Sequence, residues 1–322
     1  MTDQLSPCPS FRHEAFFYAD EAQYVGQVAE FFAEGRKGHE PILVAVPTAK
    51  IDLLRTELEP ETLAGVRMVA MEDVGRNPAW IIPAWSEFVD ECGWDRPARG
   101  IGEPTWAERS PDEIVECGRY EALVNSAFAH AASFTLLCPY DTGALPPDVV
   151  AEARRNHPHV IVAGERSVST QYADDVPDMM VAPLPVRPDD ASVWFFDGEV
   201  MTSRRIGIGD IVGPALADRA RLDGYLLAVG EAMANSVRHG GGAGEIALWP
   251  IPGGFVCEIT DRGRLEDPLA GRRRPAVESG GGRGLWLMHQ MCDLVQIRAV
   301  PTGQVIRLHL RIDCEPEPAV DR

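Results

Sequence analysis

The chain changes its pattern once, and that change limits the fold more than any other feature. Up to about residue 170, strand-like and helix-like runs alternate; beyond about residue 190, strand-like runs come in pairs. Alternation of the first kind predicts a mainly parallel sheet covered on both sides by helices, a three-layer α/β domain. Paired strands with a few helices predict an α+β two-layer sandwich. Between the two lies DDVPDMMVAPLPVRPDDAS, residues 174–192, whose four prolines and five aspartates read as a linker. At 322 residues the chain is long for one core and comfortable for two. We therefore expect domains at 1–175 and 193–314, joined by a linker over 176–192.

In the first half, EAFFYA (14–19), PILVAVP (41–47), VRMVAM (66–71), ARGIGEP (98–104), SFTLLCPYD (133–141) and HVIVAGE (159–165) read as strands. Asp20 is placed to cap a helix over 21–36, and Ser110-Pro111-Asp112-Glu113 opens another predicted to reach about Ala132. In the second half, VWFFDG (193–198) reads as a strand, and helices are expected over about 203–219 and over 223–239. EIALWPI (245–251) and GFVCEITDRG (254–263) form a hairpin around Pro252-Gly253, GLWLMHQMC (284–292) is a short helix, and DLVQIRAV with QVIRLHLRI makes a last strand pair around Pro301-Thr302-Gly303.

Charge and cysteine usage exclude several classes. A net charge of −19 argues against a general nucleic-acid binder, which needs basic stripes to neutralise phosphates. No window nears ~18 consecutive apolar residues, so no membrane span is expected. The start, MTDQLSPCPSFRHE, has neither the basic residues nor the apolar run of a secretion signal. Seven scattered cysteines without a C-x-x-C pair fit reduced thiols in a cytoplasmic protein, not a disulfide frame or a structural zinc.

Three pieces in the second half carry chemistry. Glu231 and Asn235, with His239, recur at four-residue intervals and so share a helical stripe. Asp261-Arg262-Gly263 ends a strand. Gly280-Gly281-Gly282-Arg283-Gly284-Leu285 opens a helix. An Asn carbonyl is a hard oxygen ligand suited to Mg²⁺. A carboxylate at a strand end can accept from an adenine amino group, and a glycine-rich helix start brings backbone N–H groups to an anion. His239-Gly240-Gly241-Gly242 reads as a helix C-cap with left-handed glycine rather than as a ligand set, and Arg272–Arg274 as a solvated run.

In their order and spacing these pieces resemble the ATPase fold shared by histidine kinases, gyrase-type ATPases and the anti-sigma-factor serine kinases. E-A-M-A-N (231–235) resembles the N box, D-R-G (261–263) the first glycine box and G-G-R-G-L (281–285) the second. The short domain and the wording EAMANSVRHG are most similar to the anti-sigma serine kinases. The first 175 residues resemble the MEDS sensory domain, through H-E-A-F-F-Y (13–18), G-I-G-E-P-T-W (100–106), R-Y-E-A-L-V-N (119–125) and L-C-P-Y-D (137–141); that domain looks like a degraded RecA-type fold. The resemblance implies ATP and Mg²⁺ as cofactors. Asn235 would ligate Mg²⁺ and Asp261 would read adenine. Gly263 would let the base approach. Gly280, Gly282, Arg283, Gly284 and Leu285 would form the hinge and phosphate contacts, and Glu231 would be the general base toward a serine hydroxyl. The implied partners are a sigma factor and an anti-anti-sigma antagonist of the STAS type, with a homodimer an open option.

No Walker loop follows EAFFYA: Gly35-Arg-Lys-Gly38-His lacks the G-x-x-x-x-G-K-[ST] spacing, so no ATP is expected in the first domain. Glu121, Asn125 and the segment Cys138–Asp141 could form a small-molecule sensing site, although structural hydrogen bonding is the plainer account, and His13 reads as a core histidine. Two other functions fit the same boxes. One is a non-enzymatic, ATP-dependent partner-switching sensor. The other is a sensor histidine kinase, for which no H-[DE]-x-x-x-P acceptor site is present.

Overall fold

A computed structural model describes residues 11–131, 133–173, 181–275 and 282–312. It divides into two units, with the division between Val176 and Pro177.

The first unit is built on a seven-stranded sheet. Its strands are β1 (Arg12–Tyr18), β2 (Ile42–Val46), β3 (Val66–Ala70), β4 (Ala98–Gly102), β5 (Phe134–Asp141), β6 (His159–Val162) and β7 (Glu165–Val168). The order is β3-β2-β4-β5-β1-β6-β7, parallel except for β7. The helices are α1 (Glu21–Lys37), α2 (Thr48–Glu57), α3 (Pro60–Leu63), α4 (Met71–Val74), α5 (Ile81–Cys92), α6 (Pro111–Ala127) and α7 (Pro147–Asn156). The expected caps are present: the Asp20 carboxylate accepts from the Gln23 N–H, and Ser110 and Glu113 form a reciprocal capping box beneath Pro111. β1, β2 and β5 are buried along almost their whole length, as central parallel strands require.

Two expectations for this unit are corrected. α6 stops at Ala127 instead of Ala132, because Phe128 leaves helical geometry to bury its ring against Phe11, Trp94 and Phe134. The run 159–165 is not one strand. Ala163 and Gly164 take φ of 50° and 79°, turning β6 back as the antiparallel β7.

One polar group of this unit is buried at the end of β4. Glu103 accepts from the Tyr18 hydroxyl at 2.9 Å, and burial pushes its carboxyl up to about 7.

The second unit is a five-stranded antiparallel sheet. It comprises β8 (Ser192–Asp197), β9 (Ala243–Ile251), β10 (Gly254–Asp261), β11 (Leu294–Val300) and β12 (Gly303–Arg311), in the order β11-β12-β10-β9-β8. Three helices, α8 (Met201–Val212), α9 (Arg219–His239) and α10 (Arg283–Met291), bury their apolar faces on one side of it. The core there combines Tyr225, Val229, Ala232 and Met233 of α9 with Cys257 and Ile259 of β10 and Ile306 and Leu308 of β12. On the opposite face, Arg187 pairs with Glu245 and Glu258, and Arg307 bonds Glu258 and the Pro185 carbonyl. The helix expected over 203–219 is two pieces. Pro214 has no N–H and its ring clashes with the preceding turn, so α8 ends at Val212 in a 3₁₀ turn, and α9 restarts under the Asp218 cap.

Candidate functional site

α9 is amphipathic in the usual sense, yet Glu231 and Asn235 lie beside its buried stripe, both only half-buried. They face the start of α10. A Cβ placed on Gly284 would lie 2.9 Å from Glu231 Oε2 and 3.3 Å from Asn235 Nδ2. The two polar side chains therefore meet the positive end of a helix, where unpaired N–H groups favour an anion. Gly282 supplies the entry, as a left-handed N-cap with φ of 83°. Glu231 has a distant cationic neighbour in Arg238, at 3.9 Å.

Asp261 ends β10 and is buried. Its Oδ2 accepts from the Ser236 hydroxyl at 2.5 Å, its Oδ1 from the Gly263 N–H at 2.6 Å, and both oxygens are reached by Gln304 Nε2 at 3.2 and 3.3 Å. Space for this carboxylate depends on Gly240, where a Cβ would sit 2.5 Å from Asp261 Cγ. The stretch His239-Gly240-Gly241-Gly242 is the expected cap with left-handed glycine: Gly240 is the C-cap with φ of −102°, and the positive φ falls just past it, on Gly241 and Gly242. Gly263 is similarly crowded, with Asp261 Oδ1, Gln304 Nε2 and the His239 carbonyl all close to where a Cβ would go.

A cavity of about 250 Å³ joins these parts. Asn235, His239, Arg264, Leu265, Gly282, Gly284, Leu285, Ile297, Gln304 and Ile306 line it. Asn235, Gly282, Gly284 and Leu285 of the predicted set are thus brought together. Asp261 is one hydrogen bond away, through Gln304. Arg283 is exposed at the start of α10, and Gly280 lies outside the described residues. Arg272 departs from the expected solvated run. It is buried, while Arg273 and Arg274 are exposed, because the left-handed Gly271 presses the chain against Leu285 and His289 of α10. The apolar walls Leu265, Ile297 and Ile306 and the polar Ser236 and Gln304 were missed. The β10–β12 register sets Asp261 opposite Gln304, but no local spacing announces a pairing across 43 residues.

Apolar walls, a carboxylate at a strand end and a helix start fronted by Asn and Glu form a pocket with the parts a nucleotide uses. Residues 208–310 match the model of the histidine kinase-like ATPase domain, and residues 12–158 match that of the MEDS domain (MEthanogen/methylotroph, DcmR Sensory domain). The chain is a MEDS domain followed by a histidine kinase-like ATPase domain. Comparison with curated proteins returns no match. A sensory domain joined to an ATPase-like domain supports an ATP-binding signalling regulator. Among the described residues, no helix is long and apolar enough to cross a membrane.

In the MEDS domain the residues expected around a small-molecule site are tied to one another. Asn125 Oδ1 accepts from His13, and Asn125 Nδ2 donates to the Asn156 carbonyl at 2.8 Å. Arg119 pairs with Glu116. A cavity of about 330 Å³ lies elsewhere in that domain, lined by residues that include Leu43, Val69, Ile81 and Trp85.

Proposed function

We propose that the protein is an ATP-dependent protein serine kinase of the anti-sigma type. Its ATPase domain would bind Mg-ATP and phosphorylate a serine on an anti-anti-sigma antagonist of the STAS type, so controlling a sigma factor in response to the MEDS domain. The observation that carries this is the meeting of Glu231 and Asn235 at Gly284, the start of α10. Phosphoryl transfer is mostly positioning and charge stabilisation. An Asn oxygen that can hold a hard divalent ion, beside a helix start that can receive phosphate oxygens, supplies both. Glu231 is half-exposed and therefore reachable by a partner's hydroxyl, as a general base must be. The adenine ring would lie against Leu265, Ile297 and Ile306, with Gln304 and then Asp261 at its polar edge.

The test uses the full chain, labelled ATP and purified STAS-type antagonists. Glu231→Gln should keep Mg-ATP affinity within about twofold while lowering transfer by roughly 10²–10⁴. Asn235→Ala should lose metal-dependent binding itself. A wild-type chain that binds ATP yet labels no antagonist would remove the kinase step and leave a nucleotide-gated partner switch. Unchanged binding by Asn235→Ala would remove the site.

A further inference from the structure

Four side chains from four parts of the MEDS domain converge in its interior: His13 of β1, Glu121 of α6, Cys138 of β5, and His157, which caps α7. One ligand atom from each lies within 4.8 Å of every other, and all four residues are buried. His13 Nε2 is 3.0 Å from Glu121 Oε2 and 3.4 Å from Cys138 Sγ. Cys138 Sγ is 3.6 Å, and His157 Nε2 3.4 Å, from the same Glu121 oxygen. A tetrahedral ion bonded at ~2.0–2.3 Å holds its ligand atoms ~3.3–3.6 Å apart. Three of these four spacings lie in that range, and the fourth is slightly tighter.

The outer hydrogen bonds decide where the imidazole protons sit. Asn125 uses its amide N–H to reach the Asn156 carbonyl, so its oxygen faces His13 Nδ1 at 3.0 Å and that nitrogen donates. The Ala153 carbonyl can only accept, so His157 Nδ1, at 2.7 Å, donates as well. In each neutral ring the lone pair is therefore on Nε2; both Nε2 atoms lie within 3.4 Å of the same Glu121 oxygen, and His13 Nε2 also lies 3.4 Å from the Cys138 sulfur. His157 Nε2 and Glu121 Oε1 are buried without a hydrogen-bond partner. The Cys138 thiol donates to Glu121 Oε2, which leaves the two imidazole lone pairs facing that same oxygen with no proton of their own, an arrangement that a cation among them would relieve. An imidazole that donates its outer N–H to a carbonyl is also the usual support of a metal-bound histidine.

We propose that the MEDS domain holds a divalent cation of the zinc class, ligated by His13 Nε2, Glu121 Oε2, Cys138 Sγ and His157 Nε2. Sulfur and imidazole select this class over Mg²⁺ or Ca²⁺. Binding displaces the Cys138 thiol proton to solvent, and thiolate plus carboxylate then balance the two positive charges. The site is therefore neutral overall, as burial requires. It ties β1 and β5 at the centre of the sheet to α6 and to the end of α7, with no reference to the ATPase domain.

The full chain, produced with zinc in the medium and dialysed against EDTA, should retain about one zinc per chain by elemental analysis. X-ray absorption at the zinc edge should show one sulfur at ~2.3 Å with nitrogen and oxygen at ~2.0–2.1 Å. Cys138→Ser should remove the sulfur and lower zinc affinity at least ~10-fold, while Cys117→Ser, at a buried thiol outside the cluster, should change neither. Should Cys138→Ser fail to fold, the wild-type spectrum still decides. A folded chain free of zinc, or a zinc shell lacking sulfur, overturns the proposal and leaves a hydrogen-bonded polar core. Sulfur that persists in a folded Cys138→Ser overturns it equally.

Discussion

Asp261 accepts from Ser236, Gly263 and Gln304 at once, so its oxygens are aimed before any ligand arrives. Asp261→Asn would set an amide N–H₂ against at least one of these donors. A buried donor left unpaired costs about 1–3 kcal/mol, so we expect a stability loss of that order in urea unfolding. We also expect adenine-nucleotide affinity to fall at least ~10-fold by calorimetry, and an unchanged affinity would exclude Asp261 from the base site. A second residue makes a pH prediction. The Glu103 carboxyl rises to about 7 through burial, against an ordinary value of 4.5. Between those values the folded chain holds a proton that the unfolded chain releases, so stability must fall as pH rises through the window, by about 3 kcal/mol in order of magnitude. Glu103→Gln should flatten that slope, read from exchange protection of β4 amides at pH 5 and pH 8; an equal slope in both proteins would refute the assignment. Residues of this kind differ in how legible they are. Glu231, Asn235 and Asp261 stand out because a helix or strand repeats locally. Gln304 does not, and neither does the meeting of His13, Cys138 and His157 around Glu121, because sheet register and helix packing bring them together from far apart in the chain.

Elements were legible where the backbone chemistry is local. Asp20 and Ser110 announce their helices because an N-cap needs only the next three residues. The stop after Ala127 was not legible, since it depends on what Phe128 finds to pack against, and neither was the β6–β7 hairpin, whose Ala163 takes a positive φ that its side chain does not advertise. At α10, local and tertiary demands oppose each other. Glycine is a poorer helix former than alanine, by about 1 kcal/mol in a helix interior and by less at the second residue of α10, where position 284 lies. A methyl there would press on the end of Glu231, a flexible side chain that can give way, and on Asn235. Gly284→Ala should therefore leave the melting temperature level or slightly raised while the proposed phosphotransfer drops by roughly tenfold. A gain in both, measured on one preparation, would mean that the close approach of α10 to α9 serves packing alone.

At the scale of the whole molecule, a sensor and an ATPase on one chain constitute a regulator only if what happens in one alters the other. That requirement is energetic. Coupling of about 1–3 kcal/mol changes affinity some 5–150-fold, and by linkage it acts in both directions equally. Each unit has its own core and its own sheet, so a chain beginning at Pro177 retains every described residue that lines the candidate nucleotide cavity. If the MEDS domain biases the ATPase domain, Mg-ATP affinity of that shorter chain should differ from that of the full chain by at least ~5-fold. Hydrogen exchange in β1 and β5 of the full chain should then respond to Mg-ATP, because the reciprocal effect cannot be avoided. Equal affinities, together with exchange in the MEDS domain that ignores nucleotide, would mean that any signal passes through a partner protein bound to both domains and not through the chain itself.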